Sequence, residues 1–194
     1  GTFSSHLSNT KLSDCLSCSP GSYCDVSGLS SVAGPCKASY YCSSGATSNV
    51  QLVTSSTGGP CTSGHYCPQG TGSPVPCPRG TYMASSLSSG NVTYQNRAYY
   101  CDLCSSTRAC TTTGLTTPDS TCQAGYFCKI GAPSSQPHCG ESYCKDMFGF
   151  CPIGHYCPSG TADPIVCVDG TYMNHTGASV CDPCPPGQYC EAYY

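Results

Sequence analysis

Cysteine is the residue type that could carry chemistry in this chain: 21 of its 194 residues are Cys. They include C-x2-C pairs at Cys15/Cys18, Cys101/Cys104 and Cys181/Cys184. Thiols at such spacing can bind zinc, act as nucleophiles or join as disulfides. A zinc ribbon places two such pairs about 15–20 residues apart, whereas here they recur after 86 and 80 residues. His65 and His155 each precede a Tyr in one repeated phrase, which reads as a surface position rather than a metal ligand, and His6, His138 and His175 share no spacing. A nucleophilic Cys needs a lowered pKa and an oriented base, and no G-x-S-x-G elbow, Walker loop or paired carboxylates accompany these thiols. Asp25, Asp102, Asp182 and Glu191 follow cysteines singly and do not form a calcium loop of alternating oxygen ligands. The expectation is no enzyme, no metal, no cofactor and no small-molecule substrate.

Disulfides are the remaining chemistry, and composition demands them. Leu, Ile, Val and Phe total 24 residues, Trp is absent and only 9% of residues are charged. Ordering a residue costs about 1.5 kcal/mol, which so little aliphatic burial does not offset. Cross-links must therefore hold the chain, which points to an oxidising, extracellular setting. The chain opens at Gly1-Thr2-Phe3 without an initiator Met, as a mature product or an excerpt of a longer chain would. No apolar run approaches the ~20 residues of a membrane span. The seven Lys and Arg residues are scattered singly, and the net charge is −3, so nucleic acid is not an expected partner.

The elements that position the thiols repeat. Cys61–Met83 (CTSGHYCPQGTGSPVPCPRGTYM) aligns without a gap with Cys151–Met173 (CPIGHYCPSGTADPIVCVDGTYM) at an offset of 90. The pattern C-x2-C-x5-C starts at Cys15, Cys101 and Cys181, and after the first two copies x11-C-x5-C follows. This divides the chain into the end of a preceding repeat (1–14), unit 1 (15–100), unit 2 (101–180) and the start of a third unit (181–194). Within the units a phrase C-x2-G-x-[YF] recurs at Cys18, Cys61, Cys77, Cys122, Cys151, Cys167 and Cys184. Gly lets the backbone turn through positive φ beside the cross-link, and the ring supplies apolar area to lie on a disulfide. Ser39 and Thr107 stand in the Gly slot after Cys36 and Cys104, where looser turns are expected. Gly, Pro, Ser and Asn punctuate nearly every ten residues, which predicts strand pairs of two or three residues and no helix of three turns.

The run CPIGHYCPSGTADPIVCVDGTYMNHTGASVCDPCPPGQYC (151–190) resembles the ephrin-receptor-like cysteine-rich repeat, itself similar in spacing to tumour-necrosis-factor-receptor modules. The resemblance covers nearly the whole chain. It implies a small disulfide-rich fold, an elongated tandem array of cysteine-rich modules, of the kind used in the glycosylated surface or flagellar-hair fibres of algae and protists. It also implies that the Cys opening the phrase closes on the next Cys downstream, so that Cys77 pairs with Cys101 and Cys167 with Cys181. A loop of ~15 residues closed in this way contributes about 3 kcal/mol. Under the same rule Cys15 pairs upstream of residue 1, on another subunit or on chain outside these residues. Cys15 is thus a candidate intermolecular thiol. Cys139 and Cys144 have no counterpart in unit 1, and an insertion that adds two thiols at once satisfies itself most simply as a bridge between them.

Sequons at Asn91 and Asn174 lie in loops after a GTYM phrase, where N-glycans are expected as covalent groups. Thr111, Thr112, Thr113, Thr116 and Thr117 beside Pro118 are candidate O-glycosylation sites. The segment between Cys77 and Cys101 is ten residues longer than its counterpart and carries Tyr94, Arg97, Tyr99 and Tyr100; Tyr193 and Tyr194 end the chain. These six are candidate assembly contacts. The expected function is a structural subunit or segment of an extracellular filament, a head-to-tail homopolymer; the rival is a ligand-binding receptor ectodomain, whose anchors would be those same residues.

Overall fold

The computed structural model of the protein describes residues 1–6, 11–52, 55–84, 101–140 and 144–191. Among them, secondary structure is one 3-10 turn, Leu12–Asp14, and nine antiparallel two-stranded pairs whose strands have two or three residues. The chain forms two compact units, Gly1–Cys77 with Met83–Cys101, and Pro78–Tyr82 with Asp102–Tyr194. The core is sulfur. Apart from Met83 and Pro137, the largest fully buried side chains are cysteines, while Leu16, Leu52, Val168 and Val180 are exposed.

Ten disulfides are present, each joining a Cys to the next Cys along the chain. Seven span six residues: Cys18–Cys24, Cys36–Cys42, Cys61–Cys67, Cys104–Cys110, Cys122–Cys128, Cys151–Cys157 and Cys184–Cys190. Cys77–Cys101 and Cys167–Cys181 span 24 and 14 residues. Cys139–Cys144 closes the insertion and packs against the Cys122–Cys128 bridge.

Eight of the bridges, all but Cys139–Cys144 and Cys184–Cys190, each staple a module of a turn, a strand, a loop and a returning strand. Ser22–Tyr23 pairs with Gly34–Pro35, and Tyr126–Cys128 with Phe148–Phe150, in the same manner. Between modules the backbone forms a ladder, because a chain rich in turns must satisfy its buried amides somewhere. The turn N–H donates to the closing Cys carbonyl of the next module, as in Gly21 to Cys42 (2.8 Å), Gly80 to Cys110 (2.9 Å) and Gly125 to Cys157 (2.8 Å). A glycine of the later module donates back to the opening Cys of the earlier one, as in Gly45 to Cys18, Gly131 to Cys104 and Gly177 to Cys151. The closing Cys N–H of the earlier module completes the set, as in Cys42 to Thr71 and Cys128 to Thr161.

The turns at Ser39 and Thr107 are not looser. Both residues adopt the left-handed conformation (φ 76° and 70°) and donate to Cys67 and Cys128 at 2.9 and 2.8 Å, as the glycines do. The ladder bond is made there despite a side-chain penalty of about 1–2 kcal/mol.

Four of the seven aromatic rings of the phrase pack on the bridge of the following module. Tyr23 lies against Cys36 and Cys42, Tyr66 against Cys77 and Cys101, Phe127 against Cys151 and Cys157, and Tyr156 against Cys167 and Cys181. Three strands set a ring opposite a glycine: Tyr23 over Gly34, Tyr41 over Gly59 and Phe127 over Gly149. A ring across from a bare Cα covers backbone that no other side chain protects. Polar burial is sparse but satisfied. Gln51, 3% exposed, donates to the Ser48 carbonyl and accepts from the Ser55 and Thr57 hydroxyls.

Candidate functional site

Cys15 is the free cysteine, and the residue is half-buried. Its surroundings repeat those of two half-cystines. Strand β1 (Thr2–Phe3) pairs β2 (Leu16–Ser17), just after Cys15, with Phe3 opposite Leu16. Likewise Thr81–Tyr82 pairs Asp102–Leu103 just after Cys101, and Thr171–Tyr172 pairs Asp182–Pro183 just after Cys181. The amides of Cys18, Cys104 and Cys184 then donate to the carbonyls of Gly1, Gly80 and Gly170 at 3.0, 3.0 and 2.8 Å. Cys15 therefore occupies the place in which Cys101 and Cys181 are bonded.

His65 and His155 share one geometry. Nδ1 lies 2.9 Å from the Ser63 carbonyl and 3.0 Å from the Ile153 carbonyl, closing the turn two residues back. Among the described residues no group of three His, Cys, Asp or Glu is placed to hold a metal ion, and no helix is long and apolar enough to cross a membrane.

The threonine cluster is not uniform. Arg79 Nε donates to the Thr111 carbonyl (2.6 Å), the Thr111 amide and hydroxyl donate to the Asp119 carboxylate (2.9 and 2.6 Å), and Arg108 donates to the Pro118 carbonyl (2.9 Å). Burial pushes the Asp119 carboxyl up, but the hydrogen bonds from Thr111 and the charge of Arg108 outweigh it and hold the group below its ordinary range. The Thr111 hydroxyl is thus engaged and Thr116 is half-buried, while Thr112, Thr113 and Thr117 are exposed. Composition ranked the five alike; only the spacing to Asp119 could have singled out Thr111.

No protein-family model and no curated protein matches the chain.

Asn174 is exposed on the loop leaving the Thr171–Tyr172 strand, with Met173 buried before it. A groove of about 810 Å³ lies alongside. Asn91, Tyr94, Arg97, Tyr99, Tyr100, Tyr193 and Tyr194 lie outside the described residues. Sequence reasoning missed the role of Met83 and Met173. Each stands six residues after an opening Cys, where the short-bridge modules have their closing Cys, and each carbonyl accepts the ladder bond there, from Gly64 (3.3 Å) and Gly154 (2.9 Å). Counting six from every opening Cys would have exposed the substitution.

Proposed function

We propose that the chain is a structural segment of an extracellular, glycosylated filament built from tandem cysteine-rich repeats joined head to tail. The observation that carries this reading is the ladder. Turn, bridge and returning strand recur with the same hydrogen bonds; successive modules satisfy one another's backbone, and at Tyr23, Tyr66, Phe127 and Tyr156 the next bridge covers the ring. Arrays of that kind extend by adding units. The place of Cys15 supports the same view, since equivalent cysteines are bonded to a Cys three residues before the paired turn. Ten bridges fit an oxidising compartment outside the cell. Glycans at Asn91 and Asn174 would hydrate a surface with few charges, and Tyr94, Arg97, Tyr99, Tyr100, Tyr193 and Tyr194 are the proposed contacts between subunits.

Negative-stain microscopy of the native material, with non-reducing peptide mapping of Cys15, tests the reading. Long uniform threads and a Cys15 bridge to a cysteine outside residues 1–194 are expected. Isolated short particles with Cys15 bonded internally would sink it, and particles of that kind that capture a ligand would favour a receptor ectodomain.

A further inference from the structure

We propose that the groove beside Asn174 seats the first N-acetylhexosamine of an N-linked glycan on that residue; the proposal rests on the glycoprotein reading above. Attachment itself forms one N–C bond as an activated sugar donor loses its leaving group and the Asn174 amide loses a proton. The seat lies where a strand ends. Thr171, Tyr172, Met173 and Asn174 all border the groove, just as the strand Thr171–Tyr172 gives way to Met173, which is 5% exposed and packs with Cys167 and Cys181. The exposed Asn174 is thus itself part of the wall. Ile153 and Tyr189, 60% and 81% exposed, supply apolar wall, and Gln188 and Glu191 supply polar groups.

That combination suits a pyranose bearing an acetamido group. The ring's C–H face and the acetyl methyl pack on tyrosine and isoleucine, and its hydroxyls and amide find the Gln188 amide and the Glu191 carboxylate. Pockets of this size class take small organic ligands. The contact needs little intrinsic affinity, because a ligand tethered to the wall of its own site has a millimolar effective concentration. The seat belongs to this copy of the repeat alone: Ala84 holds the position equivalent to Asn174, and Asn91 lies eight residues beyond Met83.

The test uses residues 1–194 secreted from eukaryotic cells, with Asn174 occupancy read by mass spectrometry and the glycan trimmed enzymatically to a single N-acetylglucosamine. The acetyl methyl resonance is expected upfield of its position in the free sugar, shifted by the tyrosine rings. The melting temperature is expected to exceed that of Asn174→Gln by about 2–4 °C. The double variant Ile153→Ser/Tyr189→Ser, at exposed positions the fold does not need, is expected to return the methyl to its free position and erase the melting difference. A methyl already at the free position, or a shift that survives the double variant, overturns the seat and leaves the glycoprotein reading standing. An unoccupied Asn174 overturns the seat, and Asn174 and Asn91 both unoccupied overturn the glycoprotein reading as well.

Discussion

Modules closed by a six-residue bridge and modules closed by a long one differ in where sulfur goes but not in how the backbone bonds. In the first kind the Cys six residues along carries both the disulfide and the ladder carbonyl. In the second, Met83 or Met173 keeps the carbonyl and the buried place, while the bridge passes to Cys101 or Cys181. The two tasks are therefore separable. Hydrogen bonds set how one module lies on the next, and the disulfide sets how much chain the module encloses.

That separation predicts an order of losses. Removing Cys77–Cys101 as a double alanine variant should cost about 3.5 kcal/mol, and removing Cys122–Cys128 about 2.5 kcal/mol, because the longer loop confines more of the unfolded chain. Urea denaturation of the two variants reads the difference, and a reversed order would mean that local packing governs instead. The ladder should respond to a different probe. Gly125 has φ +86° and a Cβ there would meet the Gly177 carbonyl, whereas Gly154 has φ +77° and open space. Gly125→Ala should cost about 2–4 kcal/mol, from backbone strain and overpacking together, and Gly154→Ala about 1 kcal/mol. Equal costs would show that the space beside the turn does not matter. In the converse direction, Thr107→Gly should stabilise its module by about 1 kcal/mol, visible as slower exchange of the Cys122 amide that bonds to the carbonyl at position 107; faster exchange would count against a strained turn.

The smallest expected effect is the acid response of the loop 111–119. Asp119 is held below its ordinary pKa of about 3.9, so its contribution is present above that value and is lost as pH falls through the lower folded value. The Thr111 amide, bonded to the carboxylate, should keep its protection at pH 5 and lose it in stronger acid, while the Cys110 amide, bonded to the Ala132 carbonyl, should not change. A loss of both together would place the acid-sensitive step elsewhere.

The fold class was legible because it follows from arithmetic: too few aliphatic residues, many thiols, and a turn residue every few positions. The phrase C-x2-G-x-[YF] also announced a turn and a ring. Its reach was not legible. Spacing within one module says nothing of the carbonyl two modules on that crowds Gly125, nor that Tyr23 covers the bridge Cys36–Cys42 as well as facing Gly34. Ser39 and Thr107 misled for the same reason, since local preference argued for loose turns and a bond from the neighbouring module decided otherwise. At the candidate site, the clamp on Thr111 depends on a carboxylate eight residues away across an irregular loop, for which no periodic pattern exists.

Because every bridge joins neighbours in sequence, oxidation can keep pace with synthesis. A ring such as Cys18–Cys24 has both thiols available once its seven residues have been made, before the next thiol arrives to compete. Twenty-one cysteines could in principle be mispaired in a vast number of ways, yet a first-come rule reaches this connectivity with little reshuffling. The two methionine-bearing modules obey it too, since each withholds a second thiol until its long loop is complete.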